Sequence, residues 1–250
     1  MARTLIRVGL MQSIQALKGN QVHLWQIDLN QMTEQDSVER TVLTQDELVK
    51  INRLHQLKHR QRSFSMRTQL RLLLAAYLNQ SASNIQFTYD QFGKPQLKNT
   101  PLFFNISHSQ NTALVAISHN DQMGVDIEHW RVVEQMQAIV NRHYSVSEKK
   151  AWQLLNTVQH ESVFFNIWTC KEAFIKATGR GLGMGLSRCG FNLRDNYQVE
   201  NCPIEYGDAS QWCCVPLLLG ERLSGALILK ADDCHASMYS FDPQFPPQIV

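Results

Sequence analysis

The chain has 250 residues, with 24 Lys and Arg against 22 Asp and Glu for a net charge of +2, enough length to bury a core as one large domain or two small ones. Its composition is that of a soluble globular protein, and no membrane span is predicted, because the densest apolar run, 72–78, has seven residues where about 20 are needed. Arg3 and Arg7 interrupt the N-terminus and argue against a signal peptide, and six cysteines without CxxC pairs or zinc spacing read as reduced thiols of a cytoplasmic protein.

Residues 4–29 read as a strand-like start, with Val22, Leu24 and Ile27 among polar neighbours. Thr44-Gln45-Asp46-Glu47 is a helix-capping pattern and predicts a helix over 45–63. A second helix is expected over 63–79, built on Leu70, Leu73, Leu74 and Tyr77. From Leu48 to Tyr89 there is no acidic residue, while Lys50, Arg53, Lys58, Arg60, Arg62, Arg67 and Arg71 give the segment +7 and leave the remainder at −5. Such a segment expects anions, unless its acidic partners lie elsewhere in the chain.

A turn is expected at Gly93-Lys94-Pro95, followed by strand-like runs at 102–106, 112–118 and 122–129. Helices are expected near 131–142, from Ser147, and over 160–178, where Gly179 stops the last. Strand-rich sequence fills 186–230, and a Pro-rich, extended tail follows Asp242. Both halves thus read as helices followed by strands. The predicted fold class is α+β, with halves at 1–122 and 123–250 that form a structural duplication joined near 120–130.

Asp126 and Glu128 share one face of their strand while Val125 and Ile127 take the other. Two carboxylates on one face repel unless a cation lies between them, and their apolar flanks argue for an interior strand where unpaired carboxylates are expensive. Glu172 adds a third carboxylate, with Lys176 one turn along. Three carboxylates and a lysine fit a hard divalent ion such as Mg2+ beside a phosphate substrate. The plain alternatives are an exposed strand face and a surface Glu-Lys pair at i, i+4. Lys171 resists that alternative, since it falls in the middle of an apolar arc formed by Phe164, Ile167, Trp168, Phe174 and Ile175 and needs a specific partner or room to snorkel. Asn105-Ile106-Ser107-His108-Ser109 ends a strand-like run, and its hydroxyls, imidazole and backbone amides can hold a phosphate or simply make a turn. No nucleotide-binding loop is present.

Taken in order, Phe92-Gly93-Lys94-Pro95, Phe104-Asn105-Ile106-Ser107-His108-Ser109, Gly124-Val125-Asp126-Ile127-Glu128 and Trp168-x-x-Lys171-Glu172-Ala173-x-x-Lys176-x-x-Gly179-x-Gly181-Leu182 resemble the motifs of the 4'-phosphopantetheinyl transferases, of the longer surfactin-synthetase-activating type. The likeness spans roughly 45–185. It implies a pseudo-dimer of two similar α+β halves with the active site in the cleft between them, the basic helices of the first half binding coenzyme A. It also implies transfer of the phosphopantetheine arm of coenzyme A to a serine of an acidic apo acyl or peptidyl carrier protein, with no nucleic acid or membrane partner. By resemblance, Asp126, Glu128 and Glu172 hold Mg2+ (or Mn2+), and Asp126, Glu172 and Lys176 are catalytic, with Glu172 as ligand, base or both. Arg67, Thr68, Lys94, Ser107 and His108 align with coenzyme A contacts. A chain that already contains both halves is expected to be a monomer. The competing reading is a nucleic-acid or anion-binding protein that uses the basic segment, whose binding would be salt-sensitive and independent of Asp126 and Glu172. A nearly neutral overall charge weighs against it.

Overall fold

The predicted cap at Thr44 forms: its side chain accepts from the Glu47 N–H, and Glu47 answers at the Thr44 N–H. In this computed structural model, which describes residues 3–6, 13–32, 39–179 and 185–250, the helix it opens is shorter than the sequence indicates. Helix α1 (Gln45–Asn52) ends before 63, and α2 (Leu57–Leu78) starts after a four-residue break. Neither glycine nor proline marks this break. Its reason is long-range: a continuous helix over 45–78 would extend about 50 Å, and only a fold-back brings Glu47 to Arg71, at 2.9 Å.

Strands β1 (Arg3–Ile6), β2 (Ser13–Ile14) and β3 (Gln21–Asp28) precede these helices. After them come the small hairpin β4 (Phe87–Tyr89) and β5 (Pro95–Leu97), then the long hairpin β6 (Phe103–Ser109) and β7 (Thr112–Ser118). The second half begins with β8 (Met123–His129), continues through α3 (Met136–His143), α4 (Val146–Gln153) and α5 (Thr157–Thr178), and crosses the short strands β9 (Gly190–Asn192) and β10 (Gln198–Asn201). It closes with the hairpin β11 (Trp212–Leu218) and β12 (Leu223–Lys230), then β13 (His235–Ser240) and β14 (Gln248–Ile249).

The duplication is visible in the topology. Each half lays down a strand, then a 22-residue helix, then a hairpin: β3, α2, β6–β7 and β8, α5, β11–β12. The antiparallel order is β3-β7-β6 in one and β8-β12-β11 in the other, so the last strand of each unit lies in the middle. The element order per half is therefore strand, helices, strands, because the opening strand pairs with the hairpin that arrives last. Alternation along the strands then makes layers. Met66, Leu70, Leu73 and Leu74 of α2 pack on Trp25, Ile27, Val115 and Ile117. Ala173, Phe174 and Ala177 of α5 pack on Trp212, Ala226 and Ile228. The opposite faces of the two sheets meet each other through Val22, Leu24, Leu114 and Ala116 against Val125, Ile127, Leu227 and Leu229. This is an α+β fold whose two sheets share a core between them.

The expected division at 122/123 marks where β8 starts but does not separate the sheets. Strand β13 returns to the first half and lies parallel between β1 and β3, and β14 pairs with β2. A parallel strand needs a long crossover, which the whole second half supplies; nothing local in 235–240 announces it.

Gly124 sets how closely β8 approaches α5. A Cβ there would overlap the backbone of Ala173 and Ala177. Backbone cannot swing aside as a side chain can, so Gly124→Ala is expected to lower the unfolding free energy by roughly 1–3 kcal/mol or more. Urea denaturation measures it, and an unchanged midpoint would mean that β8 and α5 have slack between them.

Candidate functional site

Close contact at Gly124 places the carboxylates of β8 against the far end of α5. Asp126 is buried, and its Oδ1 accepts from Lys176 Nζ at 2.7 Å and from Ser107 Oγ at 2.7 Å. Lys176 therefore reaches across to β8 instead of pairing with Glu172 along its own helix, and the surface ion-pair reading of 172 and 176 does not hold. Glu128 Oε2 accepts from Ser109 Oγ at 2.9 Å and from Arg131 at 3.4 Å. Burial pushes the Glu128 carboxyl above the usual range; Ser109 opposes this and the charge of Asp126 adds to it. The Glu172 carboxyl is also pushed up, first by burial, then by Asp126, with Lys176 opposing and Glu128 adding. The three carboxylates thus feel one another, and Lys176 is the cation among them.

Among the described residues, no three His, Cys, Asp or Glu side chains stand in an array that would ligate one ion. The donor set nonetheless fits a divalent cation. Asp126 Oδ2 is buried with no hydrogen-bond partner among the described residues, a state that costs roughly 1–3 kcal/mol. Both contacts to Glu128 fall on Oε2, so neither engages Oε1. Oxygen donors on mutually repelling carboxylates are what Mg2+ takes.

Beside this cluster opens a cavity of about 700 Å³ whose wall includes Arg62, Arg67 and His59 of α2, His108 of β6, and Glu128 and Arg131 from the second half. It bridges the two halves. Arg62 is steadied by Asn111 at 2.7 Å, and Arg67 stands 3.7 Å from Glu47. His108 lines the wall; partial burial of its ring, then the charges of Lys176 and Arg62, hold it below the usual imidazole range, so it is neutral near pH 7. Of the other cations in the basic segment, Arg62 faces the cavity, whereas Lys50 lies over the Tyr89 ring, 5.1 Å from its centroid. Arg71 is fully buried, held by Glu47 and by the carbonyls of Ala82 and Ile85.

The structure thus brings Arg67, Ser107, His108, Asp126, Glu128, Glu172 and Lys176 together. The other two expected contacts differ: Thr68 lies apart, while Lys94 shares a cavity wall with Lys176. Thr68 is fully buried, and its hydroxyl has no partner among the described residues. Lys94 sits in a turn closed by Gly93 at φ 84° and by Asp90, whose carboxylate accepts from the Phe92 and Lys94 N–H groups. From there its ammonium reaches the carbonyls of Lys176 at 2.8 Å and Met123 at 3.4 Å. A cation at the carbonyl end of a helix is favourable, and Lys94 thereby clamps α5 to β8. Burial pulls its pKa down, with Asp90 and Asp121 opposing. Lys171 also lies outside the cluster, paired with Glu148 at 2.8 Å in full burial. Gly181 and Leu182 of the last motif lie outside the described residues. Sequence reasoning gives Glu47 only a capping role and passes over Arg131; it reads Ser109 only as a phosphate or turn residue, although the alternation Asn105-x-Ser107-x-Ser109 carries a signal of its contact with Glu128.

Two family models match the chain: "4'-phosphopantetheinyl transferase, N-terminal" over residues 29–120 and "4'-phosphopantetheinyl transferase superfamily" over 122–226. The 4'-phosphopantetheinyl transferase HetI of Nostoc sp. is 37% identical over 170 residues, which cover 66% of this chain and 72% of the relative. The transferase Sfp of Bacillus subtilis is 30% identical over 53% of this chain and 57% of its own length, so the chain spans little more than half of that relative. The holo-[acyl-carrier-protein] synthase structure from Thermotoga maritima covers 44% of this chain and 62% of its own at 23% identity and a TM-score of 0.35, too low a likeness to build on. Matched in both halves by family models and across nearly three quarters of HetI, the chain belongs to the 4'-phosphopantetheinyl transferases, and is an enzyme.

Proposed function

We propose that this enzyme moves the 4'-phosphopantetheine arm of coenzyme A onto a serine hydroxyl of an acidic apo acyl or peptidyl carrier protein and releases adenosine 3',5'-bisphosphate, acting as a cytoplasmic monomer. The observation that carries the reading is that Glu128 belongs to both the cation-lined cavity and the carboxylate cluster. A diphosphate held by Arg62 and Arg67 would there meet Asp126 and Lys176. The serine oxygen forms a bond to the pantetheine-bearing phosphorus, the bond from that phosphorus to the adenosine bisphosphate breaks, and the serine proton leaves to a base.

Mg2+, or Mn2+ in its place, held by Asp126, Glu128 and Glu172, would supply charge stabilisation at the diphosphate oxygens. Lys176 supplies a preorganised cation whose position is fixed by Asp126. Glu172, only partly buried, is suited to ligate the ion, to take the serine proton, or both. His108, neutral and open to the cavity, offers a hydrogen bond to phosphate without a second fixed charge. Free cysteines throughout agree with a reducing compartment, and no helix among the described residues is long and apolar enough to cross a membrane. The alternative of simple anion binding by the basic segment loses ground, since Arg71 is buried against Glu47.

The test is a mass spectrum of an apo acyl carrier protein after incubation with the enzyme, coenzyme A and Mg2+. The carrier is expected to gain one arm of roughly 340 Da, and EDTA to prevent it, as for a metal-assisted transfer. No gain on carriers from several pathways, together with no binding of coenzyme A, would sink the reading.

A further inference from the structure

Strands β6 and β8 are edge strands of different sheets, and no backbone ladder joins them. Side chains take its place. The Val125 N–H donates to Asn105 Oδ1 at 2.9 Å, the Ile127 N–H to Ser107 Oγ at 3.4 Å, and the His129 N–H to Ser109 Oγ at 3.0 Å. All three comb residues are buried, where an unpaired edge N–H would be costly. The period-2 pattern Asn105-x-Ser107-x-Ser109 on one edge is thus read by every second N–H on the other.

The two serines do more than the asparagine. A hydroxyl has one proton, and each serine gives it to the carboxylate preceding the N–H that it accepts: Ser107 to Asp126 Oδ1, Ser109 to Glu128 Oε2. Asn105 stands beside Gly124, which has no side chain to receive anything. Two consequences follow from holding each hydroxyl at both ends. Each carboxylate is anchored through a single oxygen, and Asp126 Oδ2 is left buried and bare. The direction of both carboxylates is also tied to the register between the two halves.

We propose that Ser107 and Ser109 are positioning residues for a divalent cation: each engages one oxygen of Asp126 or Glu128, turns the other toward the ion, and ties that geometry to the docking of the halves. Asn105 fastens the same seam without touching a carboxylate. The proposal rests on the function proposed above, in that it requires an ion at Asp126 and Glu128.

The experiment is a Mn2+ titration of the full chain followed by electron paramagnetic resonance without coenzyme A or carrier, alongside urea unfolding of the metal-free protein. Loss of a residue that orients a ligand weakens metal binding about 10–100-fold, so Ser107→Ala/Ser109→Ala is expected to fall in that range and Ser109→Ala alone at its lower end. Ser109→Thr, which keeps the hydroxyl, should restore the affinity. Asn105→Ala should lower the urea midpoint as much as a serine change does, yet hold the Mn2+ affinity within about twofold, because its bond is structural only. Unchanged Mn2+ affinity in Ser109→Ala, or an equal loss in Asn105→Ala, overturns the proposal and leaves the comb a fastening. A wild-type chain that binds no Mn2+ fails earlier, at the metal reading itself, and takes the proposal with it. Should the double variant not fold, Ser109→Ala decides, since Glu128 is the more exposed of the two carboxylates (23% against 7%).

Discussion

Glu172→Gln is expected to reduce transfer to carrier protein by a factor of about 10²–10³ or more, the scale for removing one preorganised electrostatic group, while the metal-free fold stays as stable as the wild type or becomes more so. The second half of this expectation comes from the sign of the pKa shift. In the folded state the Glu172 carboxyl is raised by burial and by Asp126 and Glu128, against the pull of Lys176. The folded protein then binds the proton more tightly than the unfolded chain, so stability falls as pH rises from the unfolded carboxylate range through the raised folded value. At neutral pH the ionised form is a burden on the fold. Gln keeps the shape, removes the burden and flattens that part of the stability profile. Catalysis runs the other way. A group that must ligate or accept a proton needs its carboxylate form, so wild-type activity should fall on acidification, and a bound cation, which favours the carboxylate, moves that fall to lower pH than the metal-free protein alone would give. Urea midpoints at pH 5 and 7 and initial rates of carrier modification over the same range measure both. A Gln variant that unfolds would make Glu172 structural; one that retains full rate would remove it from the chemistry.

How much of this was legible beforehand differed by the range of the interaction involved. The caps at Thr44 and the stop at Gly179 are local, and both occur where the pattern placed them. Asp126 and Glu128 sharing a face is a property of any strand, and Glu172 with Lys176 sharing a face is a property of any helix. That those two faces meet depends on Gly124 lying on Ala173 and Ala177, a contact across some fifty residues that periodicity does not encode. The same limit hid the crossover of β13, the fold-back after α1, and the comb that reads β8 from β6. The basic segment was correctly seen as unusual, but charge counting treats all cations alike. Arg71 is turned inward by Glu47, a residue just outside the acid-free stretch, while Arg62 and Arg67 line the cavity.

Lys171→Met is expected to have the largest effect on stability. An apolar arc with a lysine at its centre called for a specific partner or room to snorkel, and it has a partner in Glu148 of α4, at 2.8 Å with both side chains at 0% exposure. The ammonium also donates to the carbonyls of Leu186 and Cys189, and Glu148 accepts from the N–H groups of Ser145 and Phe191. A buried ion pair is weak support for a fold when compared with a well-packed apolar pair, but removing one partner strands the other charge, at about 3–5 kcal/mol. Methionine fills the space of lysine and leaves the Glu148 anion with two backbone donors and no cation. The loss should therefore fall in that range by urea denaturation. Lys171→Met/Glu148→Gln should lose less than the sum of the single variants, with a coupling of about 0.5–3 kcal/mol, because glutamine removes the stranded charge. It will not restore the wild type, since the Leu186 and Cys189 carbonyls remain without their donor. A loss below about 1 kcal/mol, the range of an exposed pair, would mean that water reaches Glu148. In that case the pair does not hold α4, α5 and the segment after α5 together, and the lysine one position before Glu172 has no part in fixing the helix that carries the site.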